Sequence, residues 1–528
     1  MSEPETTLIS SNEIALNIAE LPEDLLVSEI SSLIESKKKL TKEFNDLRTD
    51  HDYWKFKYQA MVHRLMGKKA EKVYALESQQ SLLFDEAEAL DKVEPKTPET
   101  VEVKGYTKAA RGKRLPLPAE LPRVEEIIDL PNSEKICAKD GSTLQVVSRE
   151  SSERLDIIPE KIQVIVTTRL VYGCKCCPGL IKTAPTPARI IPKSNVSEGL
   201  LAHLIVSKYC DHLPLYRLED RFARLGVDLS RTTLARWIVQ AGEALQPLVN
   251  LLEDRAIGTS YLQMDETRVQ VLNEKLKPVD SDKFIWVRRA LYPDHEIILY
   301  DYDPTRKSEV AKRLLESYQG YVQVDGYSGY HWLESASGIK RVGCMAHVRR
   351  KFFEVVKHEK SSLKATQIAH RILALIKKLY QLESDMKPKS PEDRKEQRTL
   401  HSLPIFKELE QLVTDSKPKV PTRSGLGKAL EYADSQLKFI AEIFNNGKLE
   451  IDNNGIENKI RPFALGRKNW LFSASVKGVH ASANIYSILQ TAKANGIEPY
   501  AYLKDVFTKL PQTQSVDDYE ALLPLRRL

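Results

Sequence analysis

The sequence predicts an α/β chain, in which a mixed-sheet core carries a large all-helical insertion and is preceded by several small modules. Three observations lead there. Alternating apolar residues begin abruptly after Gly258, give way near residue 348 to helical periodicity that lasts to about residue 447, and then resume in a short closing segment. Ahead of Gly258 lie a heptad segment, a cysteine-bearing segment and two short amphipathic helices. The 528 residues exceed what one hydrophobic core usually serves.

Composition bounds the function only loosely. The 79 Lys and Arg against 73 Asp and Glu leave a formal charge of +6, too mild to imply a polyanionic partner by itself. Residues 1–25 read as a flexible start with no signal-peptide pattern. No apolar run is long enough to cross a bilayer, so no membrane partner is expected and the chain should stay in the cytoplasm. Six cysteines in so long a chain are no disulfide framework; Cys210 reads as buried packing.

Residues 26–90 should form a coiled coil. Leu33, Leu40, Leu47, Trp54 and Met61 occupy one seam position, Ile30, Phe44, Tyr58 and Leu65 the other, with Lys37 and His51 interrupting the second. Self-association into a homo-oligomer is the expected use; a single helix docked on its own domain is the alternative. Residues 91–123 dissolve into Pro, Lys, Thr and Glu, a linker composition that buries too little apolar surface to order itself. Arg111, Lys113 and Arg114 make its second half suited to phosphates, and equally suited to plain solvation.

Residues 124–192 resemble a zinc knuckle on a β module. Cys174 and Cys177 have the Cys-x-x-Cys spacing that brings two thiolates to one tetrahedral Zn2+ of structural type. Cys137 and Asp140 would complete the set with one thiolate and one carboxylate, and Cys176 could substitute. A metal-free hairpin with leftover cysteines is the competing reading.

Residues 193–257 spell helix, turn, helix. A helix through Leu215, Leu218, Phe222 and Leu225 stops at Gly226, and Ser230 caps a second helix that turns Leu234, Trp237 and Ile238 inward. Arg231, Thr232, Thr233 and Arg236 would then face outward, residue types that meet phosphates and base edges in a major groove. The alternative is a plain helical hairpin.

The core is expected over 258–347 and 448–490, with strands at 261–272, 284–289, 296–300 and 321–325, a helix at 308–317 before the fourth, and a fifth strand at 340–345. Three strands, helix, strand is the opening of a ribonuclease-H-like fold, in which the first and fourth strands lie side by side. Asp265 and Asp325 would then be neighbours. An aspartate in an apolar strand is costly unless a cation compensates it, so both read as ligands. The insertion, 348–447, should be interrupted by an exposed charged loop at 387–398. A short helix beginning near Asp452 or Asn453 would bring Glu457 to the two aspartates. Two Mg2+ or Mn2+ ions about 4 Å apart, held by three carboxylates, suit phosphodiester cleavage and transfer. Arg461, Arg467 and Lys468 add a basic surface, and Trp470 and Phe472 could stack on an unpaired base or pack in the core.

Four separated stretches carry a resemblance: MDET at 264–267, DGYSGY at 325–330, GCMAHVRRKFFE at 343–354 and DNNGIENKIRPFALGRKNWLFS at 452–473. With AKANGIEPYAYL at 492–503, they make the chain similar to the large transposase of insertion-sequence family sixty-six, over about residues 26–523. The resemblance implies metal-binding roles for Asp265, Asp325 and Glu457, and it matches Cys344 and His347 as a Cys-x-x-His pair, which either braces the insertion or acts near the metals. It implies a C-terminal region at 491–528, DNA partners (terminal inverted repeats and target DNA), small accessory proteins of the same element and a nucleoid setting. Asp140 stands where a cysteine would complete the first knuckle, and the chain ends in EALLPLRRL where the family usually shows Trp and Asn. The expected function is metal-dependent strand cleavage and transfer. A catalytically silent DNA-binding or assembly protein and a structure-selective nuclease of the same fold are the alternatives.

Overall fold

The computed structural model describes residues 184–525 apart from 276–277, 279–280 and 359–362. Before residue 184 it describes 161–173, 181–183, 100–103, 106–109 and scattered helical residues between 35 and 51. The chain divides into two compact units, residues 90–186 and the remainder.

The smaller unit holds two antiparallel hairpins. β1 (Thr100–Val103) pairs with β2 (Tyr106–Ala109), and β3 (Val171–Gly173) pairs with β4 (Ile181–Thr183). The first hairpin falls inside the segment expected to stay an unordered linker. Val101, Val103, Tyr106 and Thr107 are β-formers flanking Gly105 in sequence, a local signal that the linker's overall composition concealed. Cys137, Asp140, Cys174, Cys176, Cys177, Arg111, Lys113 and Arg114 lie outside the described residues, as does most of the heptad segment. Of its seam positions, Leu40, Phe44 and Leu47 are helical and 64–70% exposed.

From residue 187 the larger unit runs through four helices, α1 (Glu198–Tyr209), α2 (Leu215–Arg224), α3 (Arg231–Ala244) and α4 (Gln246–Ile257). Local chemistry sets the α2–α3 turn. Gly226 takes φ +80°, the Ser230 hydroxyl accepts from Thr233 N at 3.3 Å, and Leu234, Trp237 and Ile238 are buried. Arg231, Thr232 and Arg236 are exposed and Thr233 is half-buried.

The sheet follows. β5 (Tyr261–Val269), β7 (Lys283–Leu291), β8 (Glu296–Asp303), β9 (Gly320–Gln323) and β10 (Ile339–Val342) form five strands in the order β10-β9-β5-β7-β8. β5, β7 and β8 are antiparallel, whereas β9 runs parallel to both β5 and β10. The expected first strand breaks after Val269. Its tail becomes β6 (Val271–Asn273), which pairs with β11 (Ser473–Ser475) in a separate ribbon. Helix α5 (Ser308–Leu314) covers one sheet face, packing Val310 and Leu314 with Leu262, Met264, Trp286 and Val322.

The opposite face meets α11 (Asn454–Trp470) and α12 (Val476–Ala494), after the insertion helices α6 (Met345–His358), α7 (Leu363–Met386), α8 (Pro391–Gln397), α9 (Leu403–Ser416) and α10 (Gly425–Ile440). Helices α13 (Pro499–Lys509) and α14 (Val516–Glu520) close the chain. Helix α12 also seals the sheet's outer edge. Ser487, Thr491 and Asn495, four residues apart, accept from the backbone amides of Tyr300, Ile298 and Glu296, two residues apart on β8, at 2.8–3.0 Å. A helical step of four residues, about 6 Å, nearly matches a strand step of two, so one stripe caps successive edge amides. The helices ahead of the sheet share this core, with Gly242 of α3 so close to Ala481 that an added Cβ would lie 2.6 Å from the Ala481 Cβ.

One expectation about the insertion fails. The charged stretch 387–398 is not a loop: it contains α8, started by Ser390, whose hydroxyl accepts from Asp393 N. Arg398 beyond it is fully buried, paired with Glu383 at 2.7 Å and donating to the carbonyls of Ile443, Asn446 and Leu449. A buried guanidinium with so many acceptors ties the insertion's end to its middle. Removing it leaves Glu383 and three carbonyls short of a partner, so Arg398→Ala should cost about 3–5 kcal/mol. Urea unfolding followed by far-ultraviolet circular dichroism measures this; a loss below about 1 kcal/mol would show the pair to be ornamental.

Candidate active site

The parallel pairing of β5 with β9 aligns Tyr261 with Tyr321, Leu262 with Val322 and Gln263 with Gln323. Asp265 follows Gln263 by two residues within β5 and Asp325 follows Gln323 by two residues just past the end of β9, so continued alternation would bring both to one face at similar height. Asp265 pairs across β7 with Val287, and the residues beside it, Met264 and Glu266, point to the other face. Asp325 lies two residues beyond the end of β9, in a tight turn. Its Oδ1 accepts from Tyr327 N at 2.9 Å, its carbonyl accepts from buried Arg341 at 3.0 Å, and Gly326 N donates to Tyr432 Oη of α10 at 3.2 Å. A Cβ on Gly326 would lie 2.5 Å from the Tyr432 ring, so the turn needs glycine for that close approach.

Helix α11 brings the third carboxylate. Expected as short, it runs 17 residues, with Glu457 in its first turn and buried to 1% exposure. Asp452 receives Asn454 N at 3.0 Å and Tyr380 Oη of α7 at 2.7 Å, fixing where the helix starts. Among the described residues neither Glu457 oxygen has a hydrogen-bond partner, and neither do buried His347 Nδ1 and Asn453 Oδ1. His347 Nδ1 lies 3.8 Å from Glu457 Oε1, too far for a hydrogen bond. Cys344 Sγ accepts from Asn453 N at 3.2 Å, and Met345 N donates to Ile451 O at 3.1 Å, so the insertion's two ends are stitched together beside the acids.

The electrostatics follow from this crowding. Burial pushes the Asp265 carboxyl well above the usual carboxylate range, and the charges of Glu266, Asp325 and Glu457 push it further. Burial lifts Glu457 to about 8 against the opposing pull of Arg350, with Asp452 and Asp325 adding to the rise. Burial holds His347 down at about 4, hence neutral, and raises the Cys344 thiol. As the side chains stand, no three His, Cys, Asp or Glu among the described residues are close enough to hold one ion. The fit to a hard cation rests on other grounds: oxygen donors, mutual repulsion that a cation would relieve, and buried Glu457 oxygens whose desolvation no proton donor offsets.

Below the acids lies a polar layer. Buried Gln263 donates to Gln323 Oε1 and Glu450 Oε2, each at 2.8 Å, and accepts from Arg289 at 2.7 Å. Gln323 donates to the carbonyls of Gly343 and Glu450, and Arg289 pairs with Glu450 at 3.1 Å and with Glu296. Lys459 of α11 reaches Glu296 at 3.2 Å. On the other face Glu266 pairs with Arg306 and accepts from Tyr330 Oη, while Arg306 sits 3.7 Å above the Tyr327 ring. Sequence reasoning missed all of these. A Gln at the same position of two strands looks like an ordinary outward residue until the strands are paired.

The remaining candidates scatter. Arg461 is half-buried on α11 and Lys468 is exposed. Arg467 donates to the carbonyl of Arg268, tying α11 to the end of β5. Trp470 takes its packing role, edge-on to Tyr209 at 6.0 Å with Lys208 3.9 Å from its ring centre, whereas Phe472 is 44% exposed. Cys210 is partly buried against the core.

Known families match nearly end to end. The profile described as "Transposase IS66 family" matches residues 193–481, and "IS66 C-terminal element" matches 487–525. "Zinc-finger binding domain of transposase IS66" matches 134–178, and "Transposase C of IS166 homeodomain" matches 57–125. Three proteins of Sinorhizobium fredii (strain NBRC 101917 / NGR234), each named only as uncharacterized, are similar over most of their length. The chain is 32% identical to y4jD over 434 residues, 80% of this chain and 83% of that one. It is 32% identical to y4qI over 429 residues (78% of each) and 27% identical to y4hP over 487 residues (88% and 87%). The core match alone spans more than half the sequence, and with the flanking matches it places this chain in the IS66 transposase family.

Proposed function

We propose that this protein cuts and joins DNA at the ends of a mobile element, through Asp265, Asp325 and Glu457 in a ribonuclease-H-like core. What supports the reading is that Asp265 and Asp325 each follow the aligned Gln263–Gln323 pair by two residues, that Asp325 and Glu457 both bear electrostatically on Asp265, and that among the described residues no donor satisfies the buried Glu457 oxygens. Two Mg2+ or Mn2+ ions held there would lower the pKa of the attacking hydroxyl and offset charge on the leaving oxygen. The chain's own residues hold the geometry. The Gln263–Gln323–Arg289–Glu450 layer keeps β5, β9 and the start of α11 in fixed relation, and Cys344 braces the ends of the insertion.

The other modules then serve DNA. Residues 193–257 act as a helix-turn-helix whose Arg231, Thr232, Thr233 and Arg236 approach the terminal repeat, with Arg461 and Lys468 along the strand being cut and Arg111, Lys113 and Arg114 on the backbone nearby. Cys137, Asp140, Cys174 and Cys177 hold a structural Zn2+, and the heptad helix at 26–90 joins copies of the chain. The division into 124–192, 258–347 with 448–490, 348–447 and 491–528 follows these roles. Small proteins of the same element assist, and the work takes place on the chromosome in the cytoplasm. No helix among the described residues is long and apolar enough to cross a membrane.

Two experiments test this. With Mg2+ and a labelled duplex bearing the element's terminal repeat, Asp265→Asn and Glu457→Gln should abolish cleavage and strand transfer while a mobility shift stays nearly unchanged. Equal activity would remove these residues from the chemistry, cleavage without joining would mark a nuclease, and binding without cleavage by the parent would mark a silent assembly protein. A Cβ on Gly455 would lie 1.8 Å from Arg289 Nη1 and 2.7 Å from Gln263 Oε1. Gly455→Ala must therefore displace the Arg289 and Gln263 side chains or the first turn of α11, disrupting the polar layer either way, and cleavage should fall roughly a hundredfold with the DNA affinity kept. An unchanged rate would mean that the polar layer does not position Glu457.

A further inference from the structure

Helix α11 ends in a strained backbone. Leu471 adopts φ +66° and ψ −47°, and Phe472 N donates back to Trp470 O at 2.8 Å, closing a three-residue turn that a side chain with a Cβ resists. The conformation is held from both sides. Before it, Trp470 is clasped by Lys208 and Tyr209 and lies so close to Gly466 that a Cβ there would meet its ring at 2.3 Å. After it, Ser473 N donates to Gln270 O at 2.9 Å and β11 pairs with β6. The result pushes two apolar side chains into solvent, Leu471 at 63% exposure and Phe472 at 44%, with Leu465 at 41% nearby.

The surroundings select an occupant. From residue 458 to residue 497 the chain carries no acidic residue, while Lys459, Arg461, Arg467, Lys468 and Lys477 do occur. Glu457, Arg461, Ala464 and Lys468 follow one another at four-, three- and four-residue steps, a single stripe of α11 that leads from the candidate active site toward Leu471. Such a surface suits a polyanion laid along the helix, and apolar side chains at the end of a basic track enter between stacked bases.

We propose that Leu471 and Phe472 form a wedge that inserts into a base step of the bound duplex and opens it on one side of the cut. The inference rests on the DNA reading above. Fourteen residue steps lead from Glu457 to Leu471, roughly 21 Å, so the opened step should lie about six base pairs from the scissile phosphate.

The test uses the full chain and duplexes bearing the terminal repeat, with 2-aminopurine placed at successive positions around the cut. Leu471→Gly removes the side chain where glycine is at ease, so its unfolding midpoint should equal or exceed the parent's. The parent should raise 2-aminopurine fluorescence at one step, and Leu471→Gly combined with Phe472→Ser should lose that rise while still shifting the duplex in a gel. A rise retained by the double variant overturns the wedge. So does a parent that shifts the duplex yet raises fluorescence nowhere, which leaves the DNA reading standing. A parent that fails to bind the repeat sinks both. A double variant that changes oligomeric state while keeping the fluorescence rise makes the patch a contact between copies instead.

Discussion

Everything at the candidate site depends on the register of β5 against β9. Parallel strands carry residues of equal offset at equal height, so the pairing of Gln263 with Gln323 determines that Asp265 and Asp325 emerge together. A slip of one residue would turn one aspartate to the face that α5 covers, among Met264, Val322 and Val324. The two glutamines guard against that slip. Each is fully buried and each uses its amide on partners that exist in one register only, so a shifted pairing would leave several polar groups unsatisfied in the core.

The same layer explains how a glutamate far along the chain reaches two aspartates on the sheet. Glu450 lies just after the insertion and bonds to Gln263, Arg289 and, through its backbone, Tyr261 and Gln323. The return of the chain is thus anchored before α11 begins. Lys459 and Glu296 anchor it again two residues beyond Glu457. With both sides of its first turn fixed, α11 has little freedom to rotate, and the burial of Glu457 without hydrogen-bond donors becomes a sustained electrostatic cost. A structure keeps such a cost where a bound cation removes it.

What the sequence disclosed follows the range of the forces involved. The α2–α3 turn was legible because Gly226 and Ser230 act on neighbours three or four residues away. Asp265 drew notice because an acid inside an apolar strand is anomalous wherever the strand lies, and Asp325 because it follows one directly. Arg289, Gln263, Gln323 and Glu450 were not, since a polar residue in an alternating strand looks solvent-facing and its partners stand up to 189 residues away. Arg398 misled for the same reason. It closes a run of charges that reads as surface, yet its acceptors are Glu383 and carbonyls of a segment some fifty residues later. The break between β5 and β6 was hidden too, because alternation continues through Gln270 while the partner strand changes from β7 to β11.

The two ends of α11 present opposite solutions to one mechanical problem. At its start, polar bonds to the sheet hold an acid in place against electrostatic repulsion. At its finish, ring packing around Trp470 and the β6–β11 ribbon hold Leu471 in place against backbone strain. A helix clamped at both ends transmits displacement along its axis instead of bending, because its internal hydrogen bonds resist stretching more than its anchors resist sliding. Pro462 weakens that ladder in the middle, five residues from Glu457, yet Phe463 and Ile460 are buried beside it and Tyr486 Oη lies 3.5 Å from its carbonyl. Packing thus supports the helix where the amide is missing. A ligand seated against Leu471 and one seated against Glu457 would therefore bear on the same helix, so under the proposed reading grip on a duplex at one end would act on the placement of the carboxylate at the other.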